Sequence, residues 1–96
     1  MTNVALLSSD SLQGTQVVNN QGEDLGQLEE LMLNISNGRV DYAVLSFGGI
    51  LGIGDKLFAV PWQALKVDQQ NEQIVMNVTR EMLENAPALT FFYSLT

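Results

Sequence analysis

Apolar and polar residues alternate along this chain in short blocks, separated by clusters of Gly, Asn, Asp and Pro. A period near two over such short blocks predicts strands joined by tight turns. The first block differs, because Ser8-Ser9-Asp10-Ser11-Leu12-Gln13-Gly14 reads as a capped single helical turn that stops at glycine. Thr15-Gln16-Val17-Val18-Asn19 then predicts a short strand, and Asn20-Gln21-Gly22-Glu23-Asp24 carries turn chemistry. Residues 25–35 fit two periods. Leu25, Leu28, Met32 and Ile35 have helical spacing behind a possible Asp24 cap, whereas Leu31, Leu33 and Ile35 alternate with Met32, Asn34 and Ser36. Gly26 sits badly in a helix and the segment runs into the hairpin signal Asn37-Gly38, so it is read as a strand. The parity change between Leu28 and Leu31 then requires a bulge near Glu29-Glu30.

Residues 39–47 predict the partner strand, with Val40, Tyr42 and Val44 on one face and Ala43, Leu45 and Phe47 on the other. Two apolar faces predict burial on both sides, supplied by a covering tail or a partner surface. Residues 56–61 form a further strand ended by Pro61, and Trp62-Gln63-Ala64-Leu65 a 3₁₀ turn that packs Trp62 and Leu65 inward. Lys66-Val67-Asp68, a polar turn over 69–73 and Ile74 to Val78 make a last hairpin. Thr79 caps a short helix running to about Asn85, with Glu81 in its first turn, and Ala86-Pro87 ends it. Five or six short strands in 96 residues predict a mainly β fold: a small, highly curved antiparallel β-barrel with one short C-terminal helix. The chain is read as a single domain over 1–96, with the barrel at about 9–87 and an apolar tail at 88–96. Three consecutive aromatics, Phe91, Phe92 and Tyr93, would not sit in a solvated tail, so it should dock on its own barrel or a neighbour's.

Between two of these strands lies Gly48-Gly49-Ile50-Leu51-Gly52-Ile53-Gly54, four glycines in seven positions. Its spacing is G-G-x-x-G-x-G rather than the dinucleotide G-x-G-x-x-G, and Gly54-Asp55-Lys56-Leu57 lacks the ending of a phosphate-binding P-loop. Gly48, Gly49, Gly52 and Gly54 are therefore structural, as are Pro61 and Trp62. An anion-binding nest of backbone N–H groups is the weaker alternative for this loop.

Composition narrows the chemistry. The chain has no cysteine and no histidine, which removes disulfides, thiolate nucleophiles, histidine bases and most zinc, copper and haem sites. The serines, Ser46 and Ser94 among them, have no histidine to activate them. Eleven acids against Arg39, Lys56, Lys66 and Arg80 give a net charge of −7, an acidic protein with no basic stripe for phosphates. No direct nucleic-acid contact is expected. The longest uncharged run, 42–54, is thirteen residues, short of the roughly twenty a membrane helix needs, so no membrane insertion is expected. The first ten residues lack a basic n-region and a long apolar stretch, and the expected location is cytoplasmic. On that ground the sequons at Asn34 and Asn77 are chance matches. Charged residues are only 16% of the chain, which leaves apolar area for the exterior and favours self-association.

The pieces Leu12-x-Gly14-x-x-Val17, Gly22-Glu23-x-Leu25-Gly26 and Gly38-Arg39-Val40 with Tyr42-Ala43-Val44 come in a familiar order. Gly48-Gly49-x-Leu51-Gly52-Ile53-Gly54-Asp55-Lys56, then Ala59-Val60-Pro61-Trp62-x-Ala64-Leu65, and a helix closing at Ala86-Pro87 complete it. Over roughly Ser9 to Pro87 the chain resembles the PRC-barrel family. That family is named for the cytoplasmic domain of the photosynthetic reaction-centre H subunit, and its fold also forms one domain of a ribosome maturation factor. The resemblance implies a small β-barrel adaptor with no catalytic residue to carry over. The match is to the single-domain branch, so neither photosynthesis nor ribosome assembly is inherited from the name. The tail after Pro87 lies outside the resemblance.

The remaining candidates weigh against an enzyme. Glu23-Asp24 and Glu29-Glu30 could hold a hard cation, but their spacing fits no EF-hand, and turn and edge charges that discourage aggregation account for them. Asp41 with Asp55 could form a glycosidase-like pair only if the fold brought them together. Lys56 is read as a surface charge pair, and Tyr42 and Tyr93 as packing residues. The expectation is a non-catalytic adaptor without a cofactor. It self-associates, with a dimer favoured, and docks an unidentified protein partner through Ile50, Leu51, Ile53, Phe91, Phe92 and Tyr93. The alternative is a barrel that binds a small ligand or divalent cation.

Overall fold

The computed structural model describes residues 6–48 and 55–87. Helix α1 (Ser9–Leu12) is the expected single turn: the Ser8 hydroxyl accepts the Ser11 N–H at 3.1 Å and Leu12 is its buried residue. Strand β1 (Gln16–Val18) buries Val17 and Val18, and the turn after it is organised by Asn19. The Asn19 side-chain oxygen accepts the Gln21 and Glu23 N–H groups, and its amide donates to the Glu23 carboxylate at 2.7 Å and to the Val78 carbonyl at 3.1 Å. The Asx turn and the long-range bond to Val78 together satisfy the whole polar inventory of this buried asparagine.

Strand β2 (Asp24–Asn34) confirms the strand reading of the ambiguous segment and carries the expected bulge. Leu28 pairs with Leu45 and Glu30 with Val44, so Glu29 is the extra residue. Two more irregularities bend the same strand pair region. Against β1, Val17 faces Gly26 and Val18 faces Asp24, leaving Leu25 extra; against β3 (Arg39–Gly48), Met32 faces Tyr42 and Leu33 faces Val40, leaving Asp41 extra. Each bulge adds bend and twist, which curls the sheet. The bulge at Leu25 also explains how Leu25 and Leu28, three apart, both reach the core.

Strand β4 (Asp55–Pro61) pairs with β3 and buries Phe58 and Val60; a 3₁₀ turn (Trp62–Ala64) leads to β5 (Leu65–Asp68), which forms a hairpin with β6 (Gln73–Met76). Trp62 and Leu65 are half-buried and pack against the core, as expected. Helix α2 (Arg80–Asn85) is capped by the Thr79 side chain, which accepts the Met82 N–H, and it plugs Leu83 into the core.

The strand order is β4-β3-β2-β1-β6-β5. Four of the five neighbouring pairs are antiparallel, but β1 and β6 run parallel, which departs from the all-antiparallel expectation. The reason lies in connectivity. Short turns force antiparallel pairing, whereas β1 and β6 are joined through all the intervening strands, so no turn dictates their direction. The same order demands curvature. A flat six-stranded sheet would hold its end strands about 24 Å apart, yet the link from Pro61 to Leu65 spans at most about 15 Å. The sheet therefore curls into a half-barrel around Leu25, Leu28, Phe58, Ile74, Met76 and Leu83, the heart of one core cluster. No described helix is long and apolar enough to cross a membrane.

Candidate interaction surface

The two ends of the half-barrel differ. At one end α2 covers the core and is held by one cation from β4 and by one of its own. Lys56, at the start of β4, donates its ammonium protons to the Glu84 carbonyl at 2.7 Å and the Ala86 carbonyl at 3.2 Å. Arg80 lies 4.9 Å from the centre of the Phe47 ring, donates to the Asp24 carbonyl and pairs with Glu84 at 3.5 Å. Lys56 is thus a cap for the last carbonyls of α2, a role the expected surface charge pair did not foresee.

At the other end the described residues leave the half-barrel open. Leu31 and Leu33 on β2, Val40 on β3, Trp62 after β4, Val67 on β5 and Leu12 on α1 converge on a groove of about 480 Å³. Leu33, which lines it, is 63% exposed, and Ile35, at the tip of the β2–β3 hairpin, is 93% exposed. Single exposed apolar side chains are ordinary; here an exposed Leu lines an apolar groove. A smaller hollow of about 270 Å³ shares Leu7, Leu12 and Val67 and is edged by Asp68 and Glu72. Asp68 is held below the usual carboxylate range, first by the Asn71 side-chain amide at 2.8 Å and then by the Asn71 N–H.

The acidic pairs have local structural tasks. Glu23 accepts from Asn19, Asp24 accepts the Gly26 N–H at 2.9 Å, and Glu29 and Glu30 are exposed at the bulge. Asp41 accepts from the Asn34 amide at 3.3 Å. Among the described residues no group of three or more His, Cys, Asp or Glu side chains comes together as a metal site. What the arrangement offers is apolar area for another side chain or chain segment.

Of the residues singled out from the sequence, Gly48 ends β3 with φ at +109°, a backbone that suits glycine alone. Pro61 ends β4 and Trp62 begins the 3₁₀ turn and lines the groove. Ile50, Leu51, Ile53, Phe91, Phe92 and Tyr93, with Gly49, Gly52 and Gly54, lie outside the described residues. The groove and the hairpin tip are additions from the structure. Their signal was present in the alternation Leu31, Leu33, Ile35 running straight into the turn, which leaves apolar side chains where a hairpin ends in solvent.

A family model described as the PRC-barrel domain matches residues 6–83. No curated protein matches the chain significantly. Among solved structures, the 16S ribosomal RNA processing protein RimM of Pseudomonas aeruginosa is similar, with a TM-score of 0.55 at 15% sequence identity. The likeness covers 81% of this chain and 47% of RimM, so the chain matches about half the length of that structure. At this identity it is a likeness of fold.

Proposed function

This chain belongs to the PRC-barrel domain family, and from that premise we propose that it is a non-catalytic adaptor that self-associates and docks a protein partner through apolar surface. The observation that carries the reading is the open end of the half-barrel, where Leu33 lines the groove, together with the exposed Ile35 at the tip of the β2–β3 hairpin. The contact residues proposed alongside them are Ile50, Leu51 and Ile53 of the glycine loop and Phe91, Phe92 and Tyr93 of the tail. Each large apolar side chain contributes about 1.5–3 kcal/mol when fully buried, and several together are needed to offset the cost of association.

Charge directs the choice of partner. The fold is shared with about half of RimM, whose name ties that protein to 16S ribosomal RNA processing. Here two of the four cations, Lys56 and Arg80, hold α2, and the net charge is −7. An acidic surface with so few available cations repels phosphate backbones and supports a protein partner, in a cytoplasmic setting. The test is native mass by light scattering behind gel filtration. The full chain is expected to run as a dimer, and Ile35→Asp with Phe92→Asp is expected to yield a monomer with an unchanged far-UV spectrum. A wild-type monomer would sink self-association, and a double variant that stays dimeric would remove both residues from the interface.

A further inference from the structure

We infer that two copies of this chain meet face to face through the outer surface of β2, β3 and β4, away from the groove. The inference rests on the self-association proposed above and names the surface that carries it. Successive side chains of a strand point to opposite faces. On β3 and β4 the side chains of Ala43, Leu45, Phe58 and Val60 enter the core, so Tyr42, Val44, Leu57 and Ala59 point outward. The register widens this face. Met32 pairs with Tyr42 and Tyr42 with Pro61; in the next row Glu30 pairs with Val44 and Val44 with Ala59. The extra residue Asp41 turns Val40 to the inner side, opposite Leu33, where it lines the groove. The face expected to hold Val40, Tyr42 and Val44 together therefore keeps only the last two.

This outer face is apolar without belonging to the core. Met32, Tyr42, Val44, Leu57, Ala59 and Pro61 stand apart from the core cluster and from the side chains packed against it. Helices α1 and α2 send Leu12 and Leu83 into that cluster, so both lie on the inner side of the sheet. A solvated sheet face is ordinarily polar, as it is here at the pair Gln16 and Gln27 of β1 and β2. Charge selects the occupant. Two copies at net charge −7 repel each other, so their contact must avoid carboxylates. In the two rows across β2, β3 and β4, Glu30 alone is charged. Such a patch matches itself across a two-fold axis. An axis across the strands would stack Glu30 on Glu30 of the second copy. An axis along β3 instead lays β2 of one copy over β4 of the other and sets Glu30 against Ala59. The two sheets then pack about 10 Å apart. The face covers about 300 Å² per copy, against about 800 Å² in a standard interface, so the dimer dissociates on dilution. Met32 lies three residues before Ile35, and the contact thus borders the hairpin tip.

The test is sedimentation equilibrium of the full chain over a concentration series. Wild type is expected to pass from monomer to dimer. Ala59→Glu sets a carboxylate against Glu30 of the second copy and should weaken association about tenfold or more. Adding Glu30→Lys to Ala59→Glu makes the facing charges opposite and should restore the dimer. Ala59→Lys, of similar bulk, should associate at least as well as wild type, which separates the effect of charge from that of a disturbed fold. Gln16→Glu puts the same new charge on the outer face of β1 and should leave association unchanged. A dimer indifferent to Ala59→Glu overturns the inference and leaves self-association standing. So does a dimer that Gln16→Glu weakens as much as Ala59→Glu, because overall charge would then account for the loss. A wild type that stays monomeric throughout sinks the self-association proposed above, and the inference with it.

Discussion

Gly26 shows how one residue can be decided by its neighbours across a sheet rather than along the chain. Its φ is +115°, and a Cβ built there would stand 2.0 Å from the Ser46 carbonyl oxygen, a backbone atom that no rotamer change can move. Both the dihedral and the contact must be relieved before Ala fits, so Gly26→Ala should cost on the order of 3 kcal/mol or more. For a domain of this size the melting temperature would fall by roughly 12 °C or more, checked by thermal denaturation. A variant that melts with the wild type would mean β2 and β3 part there without penalty. Asp68 makes a second residue-scale prediction. Its carboxylate accepts from the Asn71 amide and N–H, which favours the ionised form and lowers the folded pKa below the ordinary value. A depressed carboxylate stabilises the fold fully above about pH 4 and loses that contribution as pH falls through the depressed value. Asp68→Asn should therefore flatten the acid limb of a stability–pH curve below about pH 4 while leaving the neutral region little changed. An acid limb identical to the wild type's would assign that slope to other carboxylates.

Helix α2 illustrates what an element needs when it is too short to be stable alone. Six residues cannot repay the cost of nucleating a helix. The helix exists because Thr79 caps its N-terminus, Leu83 enters the core, and Lys56 and Arg80 tie its backbone and side chains to β4, β3 and β2. Lys56→Met keeps the aliphatic stem and removes both hydrogen bonds to the last carbonyls. It should lower stability by about 1 kcal/mol, seen as a lower urea midpoint at unchanged slope. An unaltered midpoint would show that water replaces Lys56 at those carbonyls without loss. Within the sheet, the three extra residues Leu25, Glu29 and Asp41 set its curvature. They bend β2 and β3 so that one strand can present its residues to a curved core.

For the molecule as a whole, the parallel contact of β1 with β6 is the organising feature, since it joins residue 16 to residue 73 and so ties the two halves of the chain together. Ile74, fully buried and opposite Val17, lies at the centre of that contact. Ile74→Ala should cost about 2–5 kcal/mol, and amide exchange should accelerate in β1 by the same factor as in β6. Faster exchange confined to the β5–β6 hairpin would reveal two units that unfold separately. The open end belongs to this scale as well. It exists because the sheet curls far enough to bring β4 and β5 within one 3₁₀ turn of each other, with the groove left between that turn, the β2–β3 hairpin and α1.

The amino-acid sequence by itself determined what depends on a few consecutive residues. A capped helical turn before Gly14, Thr79 as a cap, the strand identity of residues 25–34, the bulge near Glu29-Glu30 and the 3₁₀ turn at Trp62 all follow from local hydrogen bonding and side-chain alternation, whereas Ile35, read into the strand, falls in the turn. The family pattern is equally local, a succession of short motifs in order. Only the tertiary structure decided the parallel pairing of β1 with β6, the close approach of Gly26 to Ser46, the Lys56 cap on α2 and the groove at the open end. Each of these joins residues far apart in the chain, and their partners are chosen by the path of the intervening elements through space. A periodic pattern reveals which face of a strand is apolar; it carries no information about which distant strand, cation or carbonyl will meet that face once the sheet has curled.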